Sequence, residues 1–418
     1  MTTSGVASVA RPYRQRLAGV PLRMARPVWV DDDRFDITRH VRRADRSSLA
    51  ELAGAVLSTP LSRERPLWEL WVADRLDDSR IGVVGKAHHC MVDGIAAVEL
   101  ATVLLDPEPE WPSDPPDEWQ PAEPPGQARL LAGGLADRAR DQLALAGTAA
   151  RLVASPGKLA AGVQRAGGAL LTSFAPASPL EALNGPISPY RALATVQRPL
   201  DELRAVKRAF GCTLNDVVLT ASCGGVRRQL ERHGERPARL KAMVPVTVRD
   251  GDAGGELGNR ISFIFLELPC DEPAAERRPR RISAATTRAK ASGAPAGATT
   301  VLDLAASAPS VLQRAMSRLV ASPRTFNVVV SNIPGPQVAV WMLGCRLREA
   351  YPVVPLADRH ALSIGFTTVA GGAFFGIYAD RDSAPDAELL AGDVGDALDE
   401  LRELPPARSR RKLEPVAR

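Results

Sequence analysis

The chain has 418 residues, of which 45% are apolar, and its formal net charge is +5; these values predict a globular protein of two domains. No apolar run approaches the roughly 20 residues of a membrane-spanning helix, and no secretory signal pattern is present. The five cysteines form no CxxC pair, and aromatic residues make up 5%, which predicts reduced thiols in a cytosolic protein and argues against zinc and nucleic acid binding.

The amino-terminal lobe, predicted to span residues 1–106, contains a helix and a β-hairpin. Ser48 can cap the helix, and Pro66 is confined to the beginning of the first hairpin strand because proline cannot donate to a sheet. The predicted order is an extended segment at 29–37, a helix from Ser47 to about Leu57, a strand at 65–72, a turn at 77–79, a strand at 81–85 and a helix at 95–105.

The polar stretch at 86–94 lies where this last strand ends and the helix begins. It contains adjacent histidines, His88 and His89, and Asp93 can cap the helix. Neighbouring side chains on a strand point to opposite faces, so the two histidines are poorly placed to chelate one metal ion. A neutral imidazole in a dry cleft is suited to act as a general base, because its pKa lies near physiological pH.

Residues 107–187 are predicted to be a connection between two lobes. The segment 106–126 is crowded with proline and acidic residues, which predicts an extended, exposed linker. Ala- and Leu-rich helices are expected at 128–153 and 157–172. Their apolar faces could cover a lipid-binding groove, although ordinary helix packing explains the same pattern.

The carboxyl-terminal lobe is predicted to span residues 188–404 and to mix strands with helices, so the whole chain is placed in the α/β sandwich class. A basic tail, 405–418, is expected to be disordered. Strands are predicted at 188–199, 240–248, 259–268, 326–330, 338–341, 346–353, 362–369 and 373–378. Helices are predicted at 200–210, 213–234, 274–291, 301–319 and 387–404.

Eight short motifs occur in order along the chain. They are Pro66-Leu67-Trp68, His88-His89-x-x-x-Asp93-Gly94, Asn184-Gly185-Pro186-Ile187, Leu214-Asn215-Asp216-Val217-Val218, Met243-Val244-Pro245-Val246-Thr247-Val248-Arg249, Gly258-Asn259-Arg260-Ile261-Ser262, Ser331-Asn332-Ile333-Pro334-Gly335-Pro336 and Phe374-Phe375-Gly376-Ile377-Tyr378-Ala379-Asp380. Together they resemble the bacterial wax ester synthase/diacylglycerol acyltransferase family, in the chloramphenicol-acetyltransferase-like superfamily. The resemblance implies two lobes of that fold with an active-site tunnel between them.

The resemblance implies a catalytic role for the histidine motif. His89 would be the general base, and His88 would orient the loop. Asp93 would hold the shape of the site, with Arg260 as one candidate partner, or would act as a plain helix cap. Gly94 would allow a tight turn.

Other residues are expected to bind substrate or to support the site. Asn215 would hydrogen-bond the developing oxyanion or orient the acyl donor, unless it is only a helix cap. The expected substrate-binding residues are Asn215, Asp216, Ser331 and Asn332. The expected supporting residues are Pro66, Trp68, Asn259 and Arg260, and for Pro66 and Trp68 packing is the expected role.

The implied reaction is transfer of a fatty acyl group from acyl-CoA to the hydroxyl of diacylglycerol or a long-chain alcohol, with neither metal nor cofactor. One alternative is transfer from a carrier-protein thioester. Another is a shortened, inactive lipid-binding paralogue, because family members have an additional segment before the part that resembles 14–36; a start codon placed late would explain this equally. Basic residues at both ends permit a peripheral contact with anionic lipid.

Overall fold

The computed structural model of the protein describes residues 11–21, 27–91, 104–110, 119–153, 176–248, 260–291 and 315–404, with the exception of 316. Within these ranges the chain forms one large sheet, one small sheet, two short hairpins and six helices of eight residues or more. The predicted mixed α/β class is therefore confirmed. The predicted division of the chain at 106, 187 and 404 stays a prediction.

The large sheet has six strands. They are β6 (Arg191–Pro199), β7 (Leu240–Val248), β8 (Arg260–Leu268), β9 (Val328–Asn332), β12 (Leu362–Val369) and β13 (Gly372–Asp380). Their order in the sheet is β6-β13-β12-β9-β7-β8. The pairs β12–β9 and β9–β7 are parallel, and the other three pairs are antiparallel. Every residue of β12 is buried, as expected of a central strand covered on both faces.

Four helices pack with this sheet and share its hydrophobic core. They are α3 (Leu200–Phe210), α4 (Leu214–Arg232), α5 (Arg278–Ala291) and α6 (Ala387–Glu403). Helices α4 and α6 lie unusually close, because Gly224 and Gly225 carry no side chain. A Cβ on Gly225 would lie only 2.6 Å from Cγ2 of Val394, and one on Gly224 only 2.7 Å from Cβ of Ala397. The glycines therefore set the distance between these helices.

The small sheet carries the histidine motif at its end. Its strands are β3 (Val41–Arg43), β4 (Trp68–Ala73) and β5 (Gly82–Ala87), with β3 parallel and β5 antiparallel to the central β4. A separate hairpin joins β1 (Gln15–Ala18) to β2 (Val28–Asp31). The predicted hairpin, formed by β4 and β5 with a turn at 77–79, is confirmed.

Helix α1 (Leu49–Leu57) connects the two sheets. Ser48 caps it as predicted, by accepting a hydrogen bond from the Glu51 amide. Its buried Leu52, Ala53 and Val56 join a cluster with residues of β4, β5 and β6. The small sheet is therefore attached to the large one through a shared apolar core.

Several predicted boundaries are wrong. The strand expected at 338–341 is β10 (Trp341–Met342). Of the strand expected at 346–353 only Arg346 is in a strand, as the last residue of β11 (Cys345–Arg346). A tight turn at Leu343 and Gly344, both with positive φ, reverses the chain here and joins β10 to β11 as a short hairpin. The strand expected at 326–330 is β9, two residues later.

Helix α2 (Gln127–Val153) follows the Pro-rich segment as predicted. The helices expected at 95–105, 157–172 and 301–319 lie wholly or mostly outside the described residues, as does the tail 405–418. No helix within the described ranges combines the length and apolar character needed to cross a bilayer. All five cysteines are free thiols.

Candidate active site

The two histidines lie in a turn directly after β5, and we call residues 88–91 the histidine turn. Strand β5 ends at Ala87, which pairs with Trp68 of β4. The His88 amide donates to the Leu67 carbonyl at 2.9 Å, and the Met91 amide donates to the His88 carbonyl at 2.8 Å. The sheet therefore fixes the position of the turn through the backbone.

The two imidazoles have different surroundings. Nδ1 of His88 accepts a hydrogen bond from the Cys90 amide at 3.2 Å, so this ring is held by its own turn. The His89 side chain is exposed and hydrogen-bonds to none of the described residues. Any water-poor environment around His89 would have to come from bound substrate or from residues outside the described ranges, where Asp93 and Gly94 lie.

Pro66 and Trp68 lie around the start of β4, next to the histidine turn. Both are buried, as is Leu67 between them. The Trp68 ring stacks on His40 at a centroid distance of 4.6 Å, and its indole N–H donates to the Tyr13 carbonyl at 2.7 Å. These contacts agree with packing as the role of the Pro-Leu-Trp motif.

His40 belongs to the same support, although sequence reasoning missed it. Its ring lies between Phe35 and Trp68 and is almost fully buried. Nδ1 is 2.8 Å from the Trp68 carbonyl oxygen, which can only accept, so Nδ1 carries the hydrogen. Burial lowers the pKa of His40, which keeps the ring neutral.

Lys86 connects the strand before the histidine turn to helix α1. Its ammonium group donates to the carbonyl of Val56 at 2.7 Å and also to that of Thr59. Positive charge is favourable at this end of a helix, where carbonyl groups are left without backbone partners. Burial lowers the pKa of Lys86. Nothing in the sequence around Lys86 signals this long-range contact.

The predicted Asn-Asp pair lies in the first turn of α4. Asp216 is buried and forms a capping box with Thr213, and it also accepts from the Thr286 hydroxyl at 2.8 Å. The helix cap is therefore Thr213, not Asn215. The half-buried Asn215 side chain hydrogen-bonds to none of the described residues.

Ser331 and Asn332 end strand β9 inside the large sheet. Ser331 is buried opposite Gly365, and Asn332 is half-buried opposite Phe366. The motif then turns across the end of β12, where a Cβ on Gly335 would overlap the Thr368 carbonyl oxygen. Only glycine can therefore approach the strand this closely.

Two predicted supporting residues remain, Asn259 and Arg260. Arg260 begins β8, opposite Val248, and its side chain is not described; Asn259 lies outside the described residues. The structure thus brings Pro66 and Trp68 together with His88 and His89, whereas the Asn-Asp and Ser-Asn pairs belong to the large sheet and its helices. In the described part of the chain, no cluster of three or more His, Cys, Asp or Glu side chains could hold a metal ion.

Comparison with known proteins shows similarity over nearly the whole chain. Residues 2–218 match the family model "Wax ester synthase/diacylglycerol acyltransferase catalytic domain", and residues 257–402 match "WS/DGAT C-terminal domain". A Mycobacterium tuberculosis protein named diacylglycerol O-acyltransferase tgs1 is 34% identical over 413 residues, covering 95% of this chain and 87% of the relative. A second M. tuberculosis relative, also named as a diacylglycerol O-acyltransferase (Rv1760), is 34% identical over 414 residues, covering 94% of this chain and 80% of the relative.

Solved structures show the same fold. The wax ester synthase/diacylglycerol acyltransferase of Marinobacter aquaeolei VT8 has a TM-score of 0.67 and 26% identity, with 94% of this chain and 86% of that chain covered. The first condensation domain of the CDA synthetase has a TM-score of 0.54 at 15% identity, covering 96% and 86%. The second similarity shows the fold alone.

Proposed function

The chain belongs to the wax ester synthase/diacylglycerol acyltransferase family, and from this premise we propose that it transfers a fatty acyl group from acyl-CoA to the hydroxyl of diacylglycerol or a long-chain alcohol. The observation that carries the proposal is the match of both family models in order, with the histidine motif inside the first. The named function of relatives that share 34% identity over 94–95% of the chain supports it.

In the proposed mechanism His89 is the general base. Its imidazole takes the proton from the acceptor hydroxyl as the oxygen attacks the thioester carbonyl, and a tetrahedral intermediate forms. The intermediate collapses with cleavage of the C–S bond, and the proton passes to the CoA thiolate. The exposed position of the His89 ring at the end of a fixed strand supports this role, because substrate can reach it.

Other residues are assigned supporting roles in the same proposal. His88 orients the turn, which fits its hydrogen bond with the Cys90 amide. Asp93 and Gly94 shape the turn after it. The substrate-facing groups are Asn215, Asp216, Ser331 and Asn332; of these, Asn215 is the best candidate for a substrate hydrogen bond, since Asp216 already makes its capping and Thr286 contacts.

Replacement of His89 tests the mechanism. Purified His89→Ala is expected to lose acyl transfer by about 10²–10⁴-fold while melting at the parent temperature, because the exposed side chain makes no described contact. Cys90→Ala is the matched control in the same turn and should keep parent activity. Parent-like transfer by His89→Ala would overturn the general-base assignment, and loss of activity in Cys90→Ala would point to a thiol nucleophile.

The acyl donor needs its own experiment, because a carrier-protein thioester is the alternative to acyl-CoA. Palmitoyl-CoA and a palmitoylated phosphopantetheinyl carrier protein would be offered together, with diacylglycerol as the acceptor. Consumption of the CoA thioester is the expected result. Preferential consumption of the carrier thioester would replace the proposed donor while leaving the transferase chemistry in place.

We also place the protein at lipid surfaces as a peripheral partner. The net charge of +5 favours anionic headgroups, and helix α2 exposes Leu135 and Leu143, which lie on one side because they are eight residues apart. Sedimentation with phosphatidylglycerol vesicles should therefore exceed that with phosphatidylcholine vesicles and should fall as salt is added. Equal sedimentation with both would contradict an electrostatic contact.

A further inference from the structure

A cavity of about 380 Å³ lies between the β1–β2 hairpin and the first turns of helix α2. We call it the hairpin cavity. Its walls come from the hairpin, from residues 122–125 of the Pro-rich segment and from α2, and none of its lining residues belongs to the histidine turn. The volume lies in the range of small-molecule sites, about 300–1,000 Å³.

The walls of the hairpin cavity are mainly apolar. The apolar surface is supplied by Val28, Trp29, Val30, Pro124 and Leu130. Trp29 remains 38% exposed although it is large and apolar. Helix α2 also contributes Gly133 to the lining, where an added Cβ would meet nothing within 4 Å. Hydrocarbon placed here would cover apolar surface that the described chain leaves open to water.

The charged groups around the cavity disfavour an anionic ligand. Three carboxylates line it, those of Asp31, Glu123 and Asp137, and among the described lining residues the only cation is Arg129. When Arg140, the partner of Asp137, is included, the net charge is 2 − 3 = −1. A fatty acid carboxylate or a CoA phosphate would be repelled.

The same acids also offer little to a cation. Asp31 already accepts from the side-chain amide of Gln15 at 2.9 Å and from the Ala122 amide at 3.0 Å. Asp137 is paired with Arg140, and Glu123 is exposed to solvent. An uncharged ligand is therefore the best fit.

We propose that the hairpin cavity binds one hydrocarbon chain of an uncharged lipid, of the same class as the acceptor or the product. The assignment rests on the proposed function, because neutral lipids are then what the enzyme handles. A short path of covalent and hydrogen bonds also connects the cavity to the histidine turn. Gln15 in its wall lies two residues after Tyr13, whose carbonyl accepts from the Trp68 indole N–H, and Trp68 pairs with Ala87, the residue before His88.

Photo-crosslinking of the full chain tests the site. The probe is a monoacylglycerol with a diazirine in its acyl chain, and labelled peptides are mapped by mass spectrometry. Labels are expected on peptides containing residues 28–31 and 122–133. Oleyl alcohol should compete at roughly tenfold lower concentration than oleate, because only the oleate headgroup is repelled. Absence of label from these peptides, or equal competition by oleate, would overturn the proposal.

A filled cavity provides the second arm. Gly133→Phe should reduce labelling about tenfold, since the ring would occupy volume needed by methylene groups. Gly147→Phe is the matched control, because Gly147 lies in the same helix, outside the cavity lining, and also has open space around it. Labelling of Gly133→Phe at the parent level would contradict the site.

The test is independent of the transfer reaction. Acyl transfer is measured on the same parent preparation with palmitoyl-CoA and diacylglycerol. Transfer without labelling of the named peptides would remove the cavity assignment and leave the proposed function intact. Labelling of these peptides without transfer would remove the proposed function and leave a neutral-lipid site.

Discussion

At the scale of single residues, the support of the histidine turn depends on side chains that are distant in sequence. His40 reaches Trp68 across 28 positions, and Lys86 reaches Val56 across 30. Both are ionisable groups; His40 is almost fully buried and Lys86 is half-buried. A buried polar atom without a partner costs about 1–3 kcal/mol. The geometry of the candidate site is thus held by a few buried hydrogen bonds as well as by apolar packing.

His40 gives the protein a pH-dependent stability. Burial lowers its pKa below the ordinary value of 6.5, so the unfolded chain binds the proton at higher pH than the folded one. The free energy of unfolding should therefore fall as pH drops below 6.5 toward the folded-state pKa. His40→Phe keeps a ring in the stack but cannot bind this proton or donate to Trp68.

The measurement is urea unfolding of parent and His40→Phe between pH 5 and 7. At pH 7 the variant should be less stable by about 1 kcal/mol, the usual value of one hydrogen bond. Its stability should then change less with pH than that of the parent. His360, whose pKa is also lowered by burial, contributes equally to both proteins. Parallel pH curves would show that His40 does not titrate in this range.

The role of a residue could be predicted from the sequence only where its partners are close in the chain. Thr213 and Asp216 are three positions apart, the spacing of a capping box, so the buried position of Asp216 has a sequence signal that the family resemblance obscured. His40 and Lys86 have no such signal, because their partners are chosen by tertiary packing. The role of His89 stays a prediction.

At the scale of elements, the periodic segments were predicted best. Helix α3 and strands β7 and β12 have the predicted bounds, because their apolar patterns end at clear breaks. The segment 346–353 was predicted as a strand from its apolar residues, yet 347–359 has no strand or helix. Pro352 contributes to this, and its carbonyl contacts the large sheet so closely that a Cβ on Gly376 would overlap it.

The contact of α4 with α6 leads to a prediction about helix packing. Gly225→Ala would place a methyl group against Cγ2 and the backbone amide of Val394, and the backbone cannot move aside without shifting a helix. We expect the free energy of unfolding to fall by about 1–3 kcal/mol, as for other overpacked cores. Denaturant unfolding followed by circular dichroism measures this change.

The matched control for this substitution lies in α6. Gly392 is exposed, and an added Cβ there meets nothing within 4 Å. Gly392→Ala should therefore stabilise the protein by about 0.5–1 kcal/mol through helix propensity alone. Equal effects of the two substitutions, in either direction, would mean that the α4–α6 distance is not set by Gly225.

At the scale of the whole molecule, the Pro-rich segment is fastened at both of its described ends. Asp106 exchanges two backbone hydrogen bonds with Trp341, and the Ala122 amide donates to Asp31. The guanidinium of Arg14 lies between the rings of Phe35 and Trp119, 5.3 Å and 5.2 Å from their centroids. An exposed linker was predicted from composition, but composition carries no information about such anchors.

The two sheets also meet at the end of α1, and this junction decides whether they unfold together. Ser58 accepts from the Arg191 amide of β6 at 2.8 Å and donates to the Gly54 carbonyl at 2.5 Å. Lys86 of β5 donates to carbonyls on either side of Ser58. Both sheets therefore depend on the same turn of backbone.

Ser58→Ala tests the junction. The substitution leaves the Arg191 amide without its acceptor, which should cost about 1–3 kcal/mol. Because Ser58 lies where α1 meets both Arg191 of β6 and Lys86 of β5, amide hydrogen exchange in β4 and β5 should accelerate while β12 and β13 keep the parent rates. Ser47→Ala, at the other end of α1, is the control, since the Ser47 hydroxyl bonds to none of the described residues. Equal acceleration in all four strands would show that the two sheets open as one cooperative unit, with the histidine turn no less stable than the core.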